Sequence, residues 1–405
     1  MLTFIAAILV HSSPAPRVIH VTTAPALIAA LGVAERGDRI VLAVGTYAIA
    51  APLVVTRPLT LEGDGAAVIA GAGGHELLQV MADSVTIRGI TFRHVETSYI
   101  DDRAAIRVIE RQGCTIEENR FEWTFFGVYL QRAAGCRIAN NEFDGQGKGE
   151  SSSGNGIHLW NSTGTVIEHN TIRGHRDGIY LEFAHKVTVT GNTSRDNFRY
   201  GLHFMFSDSC AYRENALLHN GAGVAVMHSK QVIMSGNRFE DAWGAGAYGL
   251  LLREITNSEL DHNTFAGNST ALLMDGANRV VIRDNVFTRN GWAVKLLASG
   301  EANRFEGNTF AGNSFDVTTN SSTSHSRFDG NRWDRYRGYD LDRDGTGDVP
   351  FHPVRLFAVM VQQDEPSLIL LRSLLVDVLE LAERVLPVLT PTSLVDAHPR
   401  VERTP

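Results

Sequence analysis

The 405-residue sequence lacks the features that assign a protein to a membrane or to nucleic acid. It contains no apolar stretch long enough for a transmembrane helix. It also has no runs of Lys and Arg, and its formal net charge is −8. Nucleic-acid binding depends on basic patches, so this charge pattern argues against nucleic acid as a partner. Cysteine is scarce as well, with three residues in the chain.

What the sequence has in abundance is an asparagine that returns about every 22 residues. The recurring residues are Asn119, Asn141, Asn170, Asn192, Asn215, Asn237, Asn263, Asn285, Asn308 and Asn331. A Phe stands two residues after most of them, as at Phe121 and Phe143, and Trp333 follows the last. A fixed period of 20 to 50 residues indicates stacked supersecondary units.

Each repeat consists of short strands separated by bends. A Gly opens an alternating segment in successive copies, and the residue after it is always apolar: Val128, Ile157, Ile179, Leu202, Val224 and Leu250. Apolar residues at every second position are typical of the inward face of a strand. Asn and Gly tolerate the left-handed backbone that sharp bends require. We therefore predict an all-β chain that forms a right-handed parallel β-helix of about ten 22-residue coils, with the asparagines in hydrogen-bonded ladders.

The start of the chain differs from the repeat. Residues 1–10 are apolar and are followed by Ser-Ser-Pro-Ala-Pro, so residues 1–16 resemble a secretory signal peptide, although the usual positive charges are missing. A buried first segment is the alternative. Residues 17–350 are predicted to form the β-helix, with an N-terminal cap over residues 19–69. The cap includes a short helix over Ala24–Val33, because an end coil would otherwise expose its core.

Residues 351–405 are predicted to be a C-terminal extension with an amphipathic helix near residues 367–386. Ser373, Asp377, Glu380 and Arg384 fall on one stripe of this helix, and Leu, Val and Ile occupy most of the rest. This apolar arc is wide for a helix that lies on a solenoid. Two interpretations stay open. The helix either caps the last coil or docks on a membrane-protein partner.

The three cysteines share one position of the repeat. Cys114 and Cys136 each stand five residues before their Asn, and Cys210 takes the same position further along. The position is inward, which favours buried and inert thiols over a metal site. A disulfide between Cys114 and Cys136 is the alternative if the protein is exported, since neighbouring strands bring the two residues close together.

Function is expected on the outward positions of the stacked strands, where two neighbouring rows carry unusual side chains. Instead of short polar residues, the rows hold aromatic, imidazole, thioether and charged groups: His158, Trp160, Tyr180, Glu182, His203, Met205, Met227, His228 and Arg253. Neighbouring coils place such side chains about 5 Å apart, close enough to converge on one ion or ligand.

Three interpretations of these rows stay open. Thioether sulfur together with imidazole suits Cu(I). The predicted copper ligands are His203, Met205, Met227 and His228. The second interpretation is acid–base catalysis on a sugar acid. Its candidates are His158, Tyr180, Glu182 and His203. The third is a partner or ligand surface without metal or catalysis. That surface comprises His158, Trp160, Tyr180, Glu182 and Arg253.

A second motif follows the last coil. Asp340, Asp342 and Asp344 alternate along the chain, Gly345 follows, and Asp348 closes the stretch. Alternating carboxylates before a Gly match the start of a calcium loop, but Phe351 stands where the bidentate Glu would be. A calcium-stabilised turn and a plain Asp/Gly-rich loop both stay open, and either role would be structural.

Several segments together resemble the NosD family, the periplasmic maturation proteins of nitrous oxide reductase. They are Gly-Ile-His-Leu-Trp-Asn-Ser at 156–162, Arg-Tyr-Gly-Leu-His-Phe-Met-Phe-Ser at 199–207, Gly-Ala-Gly-Val-Ala-Val-Met at 221–227, and residues 248–255, 290–293, 315–317, 331–334, 338–340 and 349–350. The resemblance spans most of the chain. The repeat alone is shared with many sugar-active β-helix proteins, whereas the segment around His203 is more specific.

The resemblance implies a non-enzymatic assembly factor in the periplasm. Members of the family work with an ABC transporter, which combines an ATPase and a permease, and with a copper chaperone lipoprotein. Their client is nitrous oxide reductase, whose copper–sulfide centre needs this machinery. Contact with the membrane is expected only through the transporter. The alternative function is that of a carbohydrate-active β-helix enzyme, a polysaccharide lyase or an epimerase.

Overall fold

The structure, a computed structural model, describes residues 15–72, 74–145, 147–297, 300–320, 325–386 and 393–401. The predicted signal peptide, residues 1–16, therefore lies outside the described residues except for its last two. The chain is an all-β parallel β-helix of about 13 turns, which confirms the predicted fold class. It has more turns than the ten counted from the asparagines, because the turns before residue 95 pair into the same sheets without the repeated Asn.

One wall of the β-helix is a sheet of twelve parallel strands within the described residues, which we call the front sheet. Its strands are Leu53–Val55, Leu78–Val80, Ala104–Ile109, Phe126–Gln131, Ile157–Trp160, Asp177–Glu182, Tyr200–Met205, Ala222–Met227, Tyr248–Arg253, Thr270–Asp275, Trp292–Leu296 and Phe315–Thr319. They stack in chain order, so each coil contributes one front strand.

The other walls form a sheet of twenty-five described strands, which we call the back sheet. Most coils contribute two short back strands that flank the repeated Asn. The strands are Val18–Val21, Arg39–Leu42, Gly45–Ile49, Thr60–Gly71, Thr86–Val95, Thr115–Glu117, Arg120–Thr124, Arg137–Ala139, Glu142–Asp144, Val166–Glu168, Thr171–Arg173, Thr188–Thr190, Thr193–Arg195, Ala211–Arg213, Ala216–Leu218, Ile233–Ser235, Arg238–Glu240, Glu259–Asp261, Thr264–Ala266, Val281–Arg283, Val286–Thr288, Arg304–Glu306, Thr309–Ala311, Arg327–Asp329 and Arg332–Trp333.

The apolar core lies between the sheets and runs the length of the rod. Its longest wall is the Phe column, in which Phe265, Phe287 and Phe310 stack with ring centroids 4.8 and 4.9 Å apart. The three cysteines face this core as buried free thiols. Burial raises the pKa of Cys210 to about 11, which keeps its thiol protonated and inert as predicted.

The predicted asparagine ladder is confirmed. In each rung the side-chain oxygen of one Asn accepts from both the backbone N–H and the side-chain amide of the Asn one coil earlier. Asn141, for example, donates from its N and its Nδ2 to Oδ1 of Asn170, both at 2.9 Å, and Nδ2 also donates to the Ile116 carbonyl. The ladder therefore satisfies buried bend groups that the strands cannot reach.

The far end of this ladder is closed by a residue from the C-terminal tail. The carboxylate of Asp396 lies where the next asparagine oxygen would be, and Oδ2 accepts from N and Nδ2 of Asn331 at 3.0 and 3.1 Å and from Nε1 of Trp333 at 3.0 Å. Its Oδ1 accepts from the backbone N–H of Gly330 and His398. Asp396 is fully buried. All five groups are donors, so a carboxylate fits this position better than another amide.

Three α-helices occur in the described residues. Helix α1, Ala24–Val33, coincides with the predicted helix and packs on the first coils through Leu27 and Leu31. Helix α2, Leu356–Gln363, packs against the last front strand, and α3, Leu374–Val385, follows it within the stretch where the amphipathic helix was predicted. Two 3₁₀ helices span Glu150–Ser152 and Glu365–Leu370. None of the described helices combines the length and apolarity that crossing a membrane requires.

Replacement of Asp396 by Ala should destabilise the last coils by about 3–5 kcal/mol, because it leaves several buried donors without an acceptor. Replacement by Asn should cost less, since one oxygen remains but two donors then face an amide NH₂. Urea unfolding followed by tryptophan fluorescence measures both effects, because Trp333 contacts Asp396. Equal stability of the wild type and D396A would contradict the role of this residue.

The stability of the protein is expected to depend on pH through the buried carboxyl of Asp316. Burial raises the pKa of its carboxyl to about 6, and Asn313 Nδ2 lies 3.4 Å from its Oδ1. The unfolded chain ionises near pH 3.9, so stability should fall as the pH rises from about 4 to about 6 and then stay low, by at most about 3 kcal/mol. D316N should remove this loss, and the exposed-site control D64N should keep it. Melting temperatures between pH 4.5 and 7.5 test this, and identical profiles for D316N and the wild type would refute it.

Candidate functional site

The predicted outward rows lie on the front sheet in the expected register. His158 pairs with Tyr180 and Tyr180 with His203, so the three rings stand in one column on successive strands. This column is not exposed, however: His158 is 6% and His203 1% accessible. The cause is a further outward column, formed by the residues that begin the strands, which covers the rings from the side. The outer face of the front sheet thus carries small cores of its own.

The rings of this column follow one another closely, two pairs stacked and the His158–Tyr180 pair tilted by 35°. The centroid distances are 4.6 Å from Tyr129 to His158, 4.8 Å from His158 to Tyr180, and 4.6 Å from Tyr180 to His203. The Arg107 guanidinium lies 4.9 Å from the Tyr129 ring centroid at the other end. Burial raises the pKa of Tyr129 to about 12 and that of Tyr180 further, so both phenols stay protonated at neutral pH.

The two imidazoles of the column have unsatisfied nitrogen atoms. His203 Nδ1 lies 3.4 Å from Oδ2 of Asp177, and its Nε2 is buried with no hydrogen-bond partner in the described part of the chain. His158 Nε2 lies 3.9 Å from Oε2 of Glu182. The nearby His158 imidazole lowers the pKa of Glu182, so this carboxylate is charged at neutral pH. A buried polar atom without a partner is costly, so His203 Nε2 and the two nitrogens of His158 are candidate atoms for a ligand.

The structure places three of the four predicted copper ligands on one outward face. Met205 and Met227 lie opposite each other on neighbouring strands, and Met205 shares an outward face with His203 two residues before it. Met227 is 8% accessible and belongs to a compact apolar cluster on the outside of the sheet. The cluster consists of Tyr200, Ala222, Ala225, Met227 and Leu251, with Met205, Tyr248 and Leu273 against it. One buried imidazole nitrogen and two thioethers therefore share one face.

His228 does not join these three residues. It follows the strand Ala222–Met227 in a left-handed turn with φ 51°, so its side chain continues a column of turn residues instead of the strand face. Its ring stacks on Phe206 at 4.9 Å, and its Nδ1 lies 2.9 Å from Oε2 of Glu254. The strand ends at Met227, so the direction of the His228 side chain is set by the turn and not by strand alternation.

The remaining residues of the predicted surface lie at the edge of the same face. Trp160 is half-buried, and the Arg132 guanidinium lies 5.5 Å from its ring centroid. Arg253 is exposed and its Nε donates to Oδ2 of Asp275 at 3.0 Å. Trp160, Glu182 and Arg253 are thus accessible to solvent, whereas His158 and Tyr180 lie in the neighbouring row of the same face.

The Asp-rich loop is a separate cluster. The carboxylates of Asp340, Asp342 and Asp344 can each offer an oxygen within 4.8 Å of the others, the one such group of His, Cys, Asp and Glu in the described residues. Backbone groups of the same loop already use these oxygens, as when Gly345 N donates to Asp340 Oδ2 and Leu341 N to Asp348 Oδ2. The hydrogen bonds explain the loop without an ion, and calcium stays a prediction.

The sequence interpretation missed three residues of the site: Asp177, Tyr200 and Tyr248. Each directly precedes the Gly that opens an alternating segment, and each points to the outer face. Asp177 faces His203, and Tyr248 Oη donates to Tyr200 Oη at 3.0 Å. The signal that could have found them is the repeat itself, because the position before the Gly is as regular as the two rows that were stacked.

A second candidate surface is the apolar side of α3. Of its residues Val376 is buried against α2, whereas Val378 and Leu381 are 52% and 59% exposed. Other exposed apolar residues nearby are Leu368, Ile369, Leu374, Leu375, Val385 and Leu386. So many large apolar side chains in one patch are typical of a protein–protein or membrane contact.

Comparison with known proteins adds to this geometry. A model of the family described as "Periplasmic copper-binding protein (NosD)" matches residues 148–339, which include all the predicted copper ligands and the predicted surface. The chain is similar to the "Probable ABC transporter binding protein NosD" of Pseudomonas aeruginosa, with 29% identity over 90% of this chain and 89% of the relative. It is also similar to the protein of that name from Stutzerimonas stutzeri, with 28% identity over 85% and 83%.

Solved structures share the fold at low sequence identity. The A-module of the mannuronan C-5 epimerase AlgE4 from Azotobacter vinelandii is one example, with a TM-score of 0.54 and 16% identity over 77% of this chain and 95% of that chain. Identity at this level shows a common β-helix and nothing about activity.

Proposed function

With the resemblance to the NosD family confirmed, we propose that this protein is a non-enzymatic periplasmic accessory protein of an ABC transporter. In this role it handles copper during maturation of the copper–sulfide centre of nitrous oxide reductase. The ATPase and permease of the transporter, a copper chaperone lipoprotein and the reductase itself are its proposed partners. In this proposal copper is a transported cargo and not a resident cofactor of the protein.

The observation that carries this proposal is the face formed by His203, Met205 and Met227. Two thioethers and one imidazole make a soft, low-coordinate donor set, which suits Cu(I) better than Zn(II) or Ca(II). The donor atom on the imidazole is Nε2, which is buried and has no partner in the described residues. Asp177 faces Nδ1 and would hold the ring in the tautomer that leaves Nε2 free to bind a metal.

The partner contacts are assigned by chemistry. Trp160, Glu182 and Arg253 border the copper face, so a copper-carrying partner that delivers to His203 would meet them first. The exposed apolar side of α3 is the proposed contact with the permease, since a membrane protein offers the apolar surface that this helix needs. These two surfaces lie on different elements, so one protein could bind a donor and the transporter together.

A carbohydrate-active enzyme is the less well supported alternative. Such an enzyme needs an accessible acid–base pair and a cation for the substrate carboxylate. His158 is buried and Tyr180 is half-buried, and burial holds the pKa of Tyr180 far above neutrality. Arg253, a cation at the edge of this face, is already paired with Asp275. The shared β-helix fold does not outweigh these contacts.

The copper proposal predicts that the purified chain binds Cu(I) through its methionines. The double variant M205L/M227L keeps the apolar volume but removes both sulfurs, and its affinity should fall at least about a hundredfold. M234L is the matched control, because Met234 lies in the interior core and its sulfur cannot reach the face. H228Q should also bind normally, since His228 faces Glu254. Anaerobic competition titration measures all four proteins, and an unchanged affinity of the double variant would contradict the proposal.

The transporter proposal predicts that charge on the exposed side of α3 prevents docking. V378E/L381E should lose co-purification with the permease while its melting temperature stays near that of the wild type, because both side chains are more than half exposed. D377N, on the same helix but outside the apolar patch, is the control. Point variants are sharper than a truncation at Pro366, which would also remove Asp396 and open the last coil. Retained co-purification of V378E/L381E would refute the contact.

A further inference from the structure

The face that holds His203 and Met227 is closed by two tyrosines from coils that are not neighbours. Tyr200 begins the strand Tyr200–Met205, and Tyr248 begins the strand Tyr248–Arg253. The strand Ala222–Met227 runs between them, yet the two hydroxyls meet at 3.0 Å. The two side chains therefore bridge a whole coil.

The bridge is made possible by alanine in the intervening coil. Ala222 lies between Tyr200 and the strand of Tyr248, and Ala225 follows His203 in the next outward column. A methyl group reaches much less far from the sheet than the rings and long side chains in neighbouring coils. The two alanines thus leave room for the tyrosine pair, which covers them. Both alanines are buried although they point away from the core.

The side chains beneath and beside this cover are the proposed copper donors. The Tyr200 ring lies 4.8 Å from the His203 ring, and the Arg199 guanidinium lies 4.5 Å from the Tyr200 ring centroid. Met227 belongs to the same apolar cluster as the two tyrosines. His203 is 1% accessible, so a ligand reaches Nε2 only after part of this cluster moves.

Tyr248 follows a longer connection than Tyr200 does. The interval from Asn237 to Asn263 is 26 residues instead of 22 or 23, and the extra residues form the loop 241–247 directly before Tyr248. Gly244 and Gly246 lie in this loop, and a Cβ on Gly246 would meet no atom within 4 Å. Tyr200, by contrast, is held between His203 and Arg199. Tyr248 therefore has fewer ring contacts than Tyr200 among the described residues.

We propose that Tyr200 and Tyr248 form a lid that admits a small, desolvated soft metal ion to His203, Met205 and Met227 and excludes peptides, sugars and hydrated divalent ions. This inference rests on the proposed function for the identity of the ion. The lid closes through the hydroxyl–hydroxyl hydrogen bond, and Tyr248 opens it. Burial and the hydrogen bond with Tyr200 raise the pKa of Tyr248, so this phenol keeps its proton at neutral pH.

The first test measures access to His203 without copper. Diethyl pyrocarbonate modifies accessible neutral imidazole, and peptide mass spectrometry of the full chain reports the rate at each histidine. Y248F and Y200F lose the hydroxyl contact but keep the ring, so His203 should react about fivefold faster than in the wild type. His219 should react equally in all proteins because it is exposed, and His175 in none because it is fully buried.

The matched control is Y129F, which removes a hydroxyl from the same stack of rings but from outside the lid. His203 should react at the wild-type rate in this variant. Faster reaction in Y248F and Y200F but not in Y129F supports the lid. An unchanged rate at His203 in Y248F and Y200F overturns it, as does a gain that is accompanied by modification of His175, since general loosening would then be the cause.

The second test measures Cu(I) loading of the full chain from a bicinchoninate complex by stopped flow. Because the lid closes over the free and the loaded face alike, Y248F should load and release Cu(I) several-fold faster with an unchanged Kd. Equal loading rates in Y248F and the wild type would overturn the lid. Absence of Cu(I) binding in every variant would instead remove the proposed function, and the His203 access rates would still decide whether a lid exists.

Discussion

The asparagine ladder is the interaction on which the rest of the molecule depends. Each bend of the β-helix buries backbone N–H and carbonyl groups that strand pairing cannot satisfy, and the Asn amide supplies a donor and an acceptor at that point. Since every rung binds the next through the same atoms, a shift of register between coils would break two hydrogen bonds at once, whereas coils of 22 and of 29 residues both keep the rung. The ladder therefore holds the coils in register, and it ends only where Asp396 offers oxygens that need no further partner.

Because the coils stack in register, side chains on the outside of the rod stack as well. Side chains at equivalent positions stand on adjacent strands, so rings stack into columns and cover each other's faces. A histidine that points away from the core can then be as buried as one that points into it. The site on the front sheet is such a place, where polar nitrogen, sulfur and aromatic rings are withdrawn from water on an outer surface. The two alanines of one coil interrupt the columns next to His203, and the tyrosine pair covers that interruption.

Much of the site was predictable from the repeat, and the errors have one origin. His203, Met205 and Met227 share a face because strand alternation is local and strict. His228 was grouped with them by its place next to Met227, but a left-handed turn changes the direction of its side chain. The burial of His158 and His203 was not foreseen either, because it depends on residues before the Gly that lie on other coils. Properties that follow from the repeat were predicted, whereas the turn at His228 and the covering of one outward column by another were not.

The sequence by itself determined the fold class, the helix α1, the inward columns and the asparagine ladder. The reason is that the same residue pattern recurs in successive coils and so indicates the structure that each coil forms. Only the tertiary structure decided how the ladder ends, which outward residues are covered, and where the apolar side of α3 is left exposed. Asp396 is separated from Asn331 by 65 residues, and Tyr200 from Tyr248 by 48. No periodic pattern marks such pairs, since the contact forms only after the chain between them has folded back and brought the two ends within hydrogen-bond distance.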